Sequence, residues 1–411
     1  MESRAFQEMA MRVLMISWEY PPYVVGGMGK HVAELVPTLA ELAEAEPGFR
    51  LDLLTTRLAD GPAVEELNGR AWIHRVDVPP MDPQDMFNSV MEANHVLERK
   101  ALELAEAAPF HLVHVHDWLV ARAGIHLKHR WKVPLVATVH ATERGRHQSH
   151  LPTELSRQIN QLEWELCYEA WRIIVCSGYM AGELQGYFSV PSDKMSIIPN
   201  AVNPAPLQAC PPEEIGRLRR RYAPQGQRLL FFVGRITPEK GLPVLLRAMP
   251  LILAKDPHVR LLVAGKNSEQ MQGLVDELGI GHAVELLGFI SDEQRNCLYN
   301  AVDAAIFPSI YEPFGIVALE AMAAGCNVIA SSVGGLSEVV RHMNTGITVL
   351  ANSPESIAWA VEQLFQDPER ARRLREEALN HVHNCYAWPL IARATLELYR
   401  TVLEERSRVV W

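Results

Sequence analysis

This 411-residue chain has little that would support cross-links or a metal. Its six cysteines, Cys167, Cys176, Cys210, Cys297, Cys326 and Cys385, are scattered and include no Cys-x-x-Cys pair. Neither a disulfide framework nor a zinc site is expected, and a reducing cytoplasm is the natural compartment. There is no Asp-x-Asp, and no histidine/carboxylate cluster has metal spacing, so no divalent metal and no cofactor is expected. No run approaches the roughly 18 apolar residues of a membrane span. Residues 1–10 are polar, lack a signal-peptide core and read as an extension. Gly-x-Gly-x-x-Gly is missing, which excludes the dinucleotide fingerprint. Positive charge is also scarce: 39 Lys and Arg against 49 Asp and Glu give a formal net charge of −10. That balance argues against a nucleic-acid partner or an anionic membrane surface. The one dense basic run, Arg217, Arg219, Arg220 and Arg221, has no aromatic residues interleaved and reads as a solvated helix face.

What is present is alternation. The length implies two domains. Short apolar runs at residues 12–17, 51–55, 112–116, 134–139 and 172–176 are separated by helical patterns, the clearest at 31–43 and 87–107. The second half repeats this with runs at 229–233, 260–264, 284–287, 304–307 and 327–330. The expected fold is α/β: two doubly wound Rossmann-like domains of parallel sheet with helices on both faces, facing each other across a cleft. Five prolines within residues 199–212 mark the break, giving domains at 11–203 and 204–388. Trp164, Tyr168 and Trp171 lie at helical spacing and are expected to pack in the core.

Ligands of such sheets bind beyond the C-terminal ends of the strands, and the chemistry-bearing residues cluster there. After the first strand come Gly26, Gly27 and Gly29, where a backbone can approach a phosphate or sugar closely. His116 and Asp117 end one strand and His140 ends the next. Arg235 and Lys240 follow the first strand of the second half, a fork and a point charge suited to a diphosphate leaving group. Glu312 and Glu320 sit eight residues apart in Tyr311-Glu-Pro-Phe-Gly-Ile-Val-Ala-Leu-Glu320. Pro313 and Gly315 force a turn there, and a helix is expected from Ile316, with Gly325 as its C-terminal cap. A helix N-terminus between two carboxylates suits a ligand made of sugar, diphosphate and ribose.

In this order, these motifs resemble the retaining nucleotide-sugar glycosyltransferases of the GT-B fold: family 4 and the neighbouring bacterial glycogen and starch synthases. The resemblance runs from Met11 to about Tyr399 and is most specific in Gly234-Arg235…Lys240-Gly241 with Glu312-Pro-Phe-Gly…Glu320. The stretches His114-Val-His-Asp-Trp118, Thr138-Val-His140 and Trp18-Glu-Tyr-Pro-Pro…Gly26-Gly27 are similar to the glycogen-synthase branch. The resemblance implies that Glu312 binds the donor sugar, Glu320 the ribose, and Arg235 and Lys240 the diphosphate. It places the backbone of Phe314 and Gly315 on sugar and phosphate, His140 at the reaction centre, Asp117 and His116 toward the acceptor, and Asn200 at the hinge. It also implies that the last helices, 389–411, cross back onto the N-terminal domain. The expected activity is retaining hexosyl transfer, glucose first, from an ADP-, UDP- or GDP-sugar. An α-1,4-glucan is the first acceptor, ahead of a small molecule and a lipid or cell-envelope acceptor. A non-catalytic sugar-nucleotide or glucan-binding protein is the alternative of another class. The chain departs from the family at Val24, where glycogen synthases tend to carry Lys, and at Ala201 and Asn203, where Gly and Asp are usual.

Overall fold

A computed structural model describes residues 10–46 and 48–410. The first nine residues of the expected N-terminal extension lie outside them. The chain divides into two compact units. One holds the described residues up to Asn200 together with those from Trp388 onward; the other is Ala201–Ala387.

The first unit is built on an eight-stranded sheet: β1 (Met11–Ser17), β2 (Phe49–Thr56), β3 (Val64–Glu66), β4 (Ala71–Val76), β5 (Leu112–His116), β6 (Leu135–Val139), β7 (Arg172–Val175) and β8 (Met195–Ile197). Their order is β3-β4-β2-β1-β5-β6-β7-β8, and every pair is parallel except β3 with β4. The second unit carries β9 (Arg228–Val233), β10 (Val259–Ala264), β11 (Val284–Gly288), β12 (Ala304–Phe307), β13 (Val328–Ser331) and β14 (Ile347–Val349). These are all parallel, in the order β11-β10-β9-β12-β13-β14. That is the 3-2-1-4-5-6 order of a doubly wound dinucleotide fold, even though the glycine fingerprint is missing. Strand runs such as Val13-Leu-Met-Ile16 and Ala304-Ala-Ile306 are fully buried. They read as unbroken apolar segments because helices cover both sheet faces.

Several elements differ from expectation. Strand β4 escapes a periodicity reading because its sequence, Ala-Trp-Ile-His-Arg-Val, buries two polar side chains. His74 Nε2 lies 2.8 Å from Asp52 Oδ1, while Arg75 donates to the Pro21 carbonyl and to Glu65, each at 2.8 Å. Trp164 and Tyr168 do not pack in the core. They are 40% and 68% exposed and stack on each other 5.6 Å apart on the outer face of helix Glu154–Glu169. Trp171 donates its indole N–H to Glu405 at 2.8 Å.

The cysteine reading is also corrected, because Cys210 and Cys297 form a disulfide. They are 87 residues apart, so no local spacing announces the pair. Packing brings them together. Helix Pro204–Gln208 lies on helix Asp292–Ala301, where Asn296 and Asn300 donate to the carbonyls of Pro206 and Leu207. Scattered cysteines are therefore no argument here for a reducing compartment. No helix of the described residues is long and apolar enough to cross a membrane.

Candidate active site

In each unit the singled-out residues sit beyond the C-terminal ends of strands at the point where the strand order reverses, between β1 and β5 and between β9 and β12. That is where a doubly wound sheet leaves a crevice.

In the second unit two loops are laced together. Ile310 N and Tyr311 N, after β12, both donate to the Glu239 carbonyl after β9, at 2.7 and 3.3 Å. Gly241 allows this approach. Its φ is +69°, and a Cβ there would stand 1.9 Å from the Pro308 carbonyl oxygen. The lacing sets Lys240 Nζ 2.6 Å from Glu312 Oε2, across 72 residues of sequence. Glu312 is buried, with Ser309 Oγ 3.4 Å from the same oxygen. Arg235 stands more open, its side chain half exposed and 3.2 Å from Glu239.

Gly315, at φ +108°, starts helix Ile316–Ala323, and no side chain of the described residues caps it. A Cβ on Gly315 would strike Leu336 at 2.6 Å, so only glycine turns the chain here. Ala324 ends the helix and Gly325 follows at φ +74°, the left-handed stop. Phe314 is buried against Tyr386, ring centroids 5.8 Å apart. Glu320 is buried on the helix, with the Arg295 guanidinium 3.6 Å away. Arg295 is a residue that sequence reasoning missed.

The glycine turn of the first unit is organised by Glu19, also missed. Its Oε2 accepts from Val25 N at 2.7 Å and Gly26 N at 3.1 Å. Gly29 is the glycine that packing demands, since a Cβ there would lie 2.4 Å from Glu19 Oε2. Gly26 leaves open space where its Cβ would be, and helix Gly27–Ala45 begins at Gly27.

Beyond β5 and β6 the fold assembles a histidine group. His116 Nδ1 lies 3.1 Å from His140 Nε2. His31, from helix Gly27–Ala45, packs against both rings, with its Nδ1 2.7 Å from Asn200 Oδ1. His114 lies behind, bonded to Tyr399 and Thr138, each at 2.7 Å. Asp117 Oδ1 accepts from His140 N at 2.7 Å. To do so, Asp117 adopts φ +59° and ψ −178°, a conformation that costs a non-glycine residue about 1–3 kcal/mol and tends to occur at functional sites.

Burial pushes the His140 imidazole down to about 3, and the charge of Arg146 adds to the shift. His31 is pushed down to about 3, chiefly by burial and then by His140. Both rings are neutral at neutral pH. Burial raises the Asp117 carboxyl to about 6, against the hydrogen bond from His140 N and the charge of Arg146.

One expectation is corrected here. His116 is fully buried behind His140, so it cannot itself touch an acceptor. Sequence spacing gave no metal-like cluster, yet one ring nitrogen from each of His31, His116 and His140 lies within 4.8 Å of the others. Asn200 is buried on His31, and Asn203 caps helix Pro204–Gln208 by accepting from Ala205 N at 3.1 Å.

Comparison with known proteins agrees with this architecture. Residues 25–205 match Glycosyltransferase Family 4, and residues 216–381 match Glycosyl transferases group 1. An uncharacterized glycosyltransferase of Methanocaldococcus jannaschii is 34% identical over 97% of this chain and 100% of its own length. The glycogen synthase of Mycobacterium tuberculosis is 32% identical, over 95% of this chain and 94% of its own. Among solved structures, sucrose-phosphate synthase from Thermosynechococcus elongatus superposes with a TM-score of 0.80 at 26% identity, covering 96% of this chain and 100% of that one. With two Rossmann-like units and family matches on both, this chain is an enzyme of the GT-B glycosyltransferases and belongs to the family-4 type.

Proposed function

We propose that the protein transfers a hexosyl group, glucose first, from a nucleotide diphosphate sugar to an α-1,4-glucan with retention of anomeric configuration. The observation that carries this reading is the Lys240–Glu312 pair set beside the uncapped N-terminus of helix Ile316–Ala323, with Arg235 alongside. Departure of the diphosphate is the hard part of the reaction. Fixed positive charge aimed at the leaving oxygens lowers that barrier without reorganisation. In this reading Arg235, Lys240 and the helix N–H groups take the diphosphate, and Glu312 accepts hydrogen bonds from hydroxyls of the departing sugar. Lys240 exchanges part of its contact with Glu312 for phosphate. Glu320, held by Arg295, accepts from the ribose hydroxyls. His140, neutral and fixed by Asp117, touches the sugar near the reacting carbon. The acceptor hydroxyl attacks from the face the diphosphate leaves and gives its proton to a leaving-group oxygen. Glu312 and Glu320 take separate parts of one donor, so they are not a facing glycosidase pair. No divalent metal enters this scheme.

The glucan acceptor is supported by the likeness to glycogen synthase. The likeness to sucrose-phosphate synthase supports a small phosphorylated sugar as the second reading. The test crosses ADP-, UDP- and GDP-glucose with glycogen, maltooligosaccharides and sugar phosphates, following nucleoside diphosphate release and the anomeric signal of the product. An α-linked glucan is the expected product, and a β-linkage would overturn retention. Glu312→Ala should lower turnover by about two to three orders of magnitude, the usual loss when a transition-state contact is removed. Binding without turnover for every pair would leave a sugar-nucleotide-binding protein instead.

A further inference from the structure

The histidine group has a property that the transfer reaction does not require. Two of its rings come from regular elements, helix Gly27–Ala45 and the end of β5, and the third from the turn just past β6. The Asn200 amide oxygen accepts from His31 Nδ1, so that nitrogen carries the ring proton and Nε2 keeps its lone pair. A second-sphere hydrogen bond of this kind fixes the tautomer of metal-binding histidines. His116 Nδ1 and His140 Nε2 face each other at 3.1 Å, close to the edge of about 3.3 Å in a tetrahedron with 2.0–2.1 Å zinc–nitrogen bonds. The Asp117 carboxylate, bonded to His140 N, supplies negative charge next to the group.

We propose that His31, His116 and His140 form a three-imidazole site for a divalent transition metal of the zinc, copper or nickel class, with its fourth position open on the partly exposed side of His140. Neutral nitrogen donors favour these ions over magnesium and calcium, which prefer oxygen. One nitrogen from each ring lies within 4.8 Å of the other two, and coordination draws them to about 3.3 Å. Occupancy commits the His140 lone pair to the metal and so blocks transfer. Only this inhibitory consequence rests on the role given to His140 above.

The test uses the full chain stripped with a chelator and titrated with Co(II), whose tetrahedral nitrogen complexes absorb in the visible, and then with Zn(II). One equivalent should bind to the wild type. His31→Gln and His116→Gln should each lose at least ten-fold in affinity while keeping the wild-type circular dichroism. X-ray absorption on the zinc-loaded wild type should show imidazole nitrogens at 2.0–2.1 Å, a reading that does not depend on the variants folding. No binding, a shell without imidazole, or undiminished binding in both folded variants overturns the site. One equivalent of Zn(II) should abolish glucosyl transfer, and a chelator should restore it. Full activity in the loaded enzyme overturns the inhibitory consequence and leaves the site standing.

Discussion

At the residue scale the candidate donor site divides into what a local pattern can reveal and what it cannot. Glu312, Glu320, Arg235 and Lys240 stand out as candidates in the sequence because each belongs to a short stretch tied to a turn. The partners that hold them were not. Arg295 lies in Asp-Glu-Gln-Arg-Asn-Cys-Leu-Tyr-Asn-Ala, an ordinary amphipathic helix, and only the fold brings it to Glu320. Glu19 likewise reads as a loop carboxylate until its oxygen is seen to collect two backbone N–H groups. A buried carboxylate that loses its cation binds and orients a ligand less well. Arg295→Ala should therefore raise the donor KM about ten-fold or more, about 1.4 kcal/mol, while changing kcat little. Initial rates against donor concentration check this, and an unchanged KM would remove Arg295 from the site.

At the scale of elements, uniform apolar runs showed most of the parallel strands, because a strand buried on both faces carries its signal in composition alone. Strand β4 was hidden by His74 and Arg75, whose burial depends on partners far away in sequence. The helix expected from residue 31 begins at Gly27, because glycine content masks a helix start that tertiary contacts impose. The disulfide was invisible for the same reason. It ties helix Pro204–Gln208 to helix Asp292–Ala301, the element that presents Arg295. Cross-linking residues 87 apart removes much unfolded-chain entropy, so the paired Cys210→Ser and Cys297→Ser variant should lose about 2–4 kcal/mol. Urea unfolding of oxidised and variant proteins checks the loss, and coincident transitions would show that the bond contributes nothing.

At the scale of the whole molecule, burial of so many histidines ties stability to pH. His31, His114 and His140 are pushed down to about 3 and His116 well below its ordinary value, chiefly by burial. The folded state refuses protons that the unfolded chain accepts below about 6.5, so their contribution is full above that pH and is lost as pH falls. Asp117, raised to about 6, and Glu163, raised well above its ordinary value, both chiefly by burial, act in the opposite sense. Each keeps its proton to a higher pH than it does in the unfolded chain, which offsets part of the histidine effect. The four histidines outnumber the two carboxyls, so the net effect is a loss of stability as pH falls. Urea midpoints of chelator-treated protein should fall steeply from pH 7 to pH 5, and a flat profile would contradict the buried neutral cluster. The same cluster gives meaning to the route of the chain. Helix Trp388–Ser407 belongs to the first unit, although 187 residues of the other unit precede it. It brings Tyr399, whose hydroxyl bonds His114, and Trp388, whose ring lies 5.4 Å from His31. During synthesis the first unit therefore lacks part of its fold until helix Trp388–Ser407 has left the ribosome. The second unit can close before it, and His31 and His114 gain Trp388 and Tyr399 only after that.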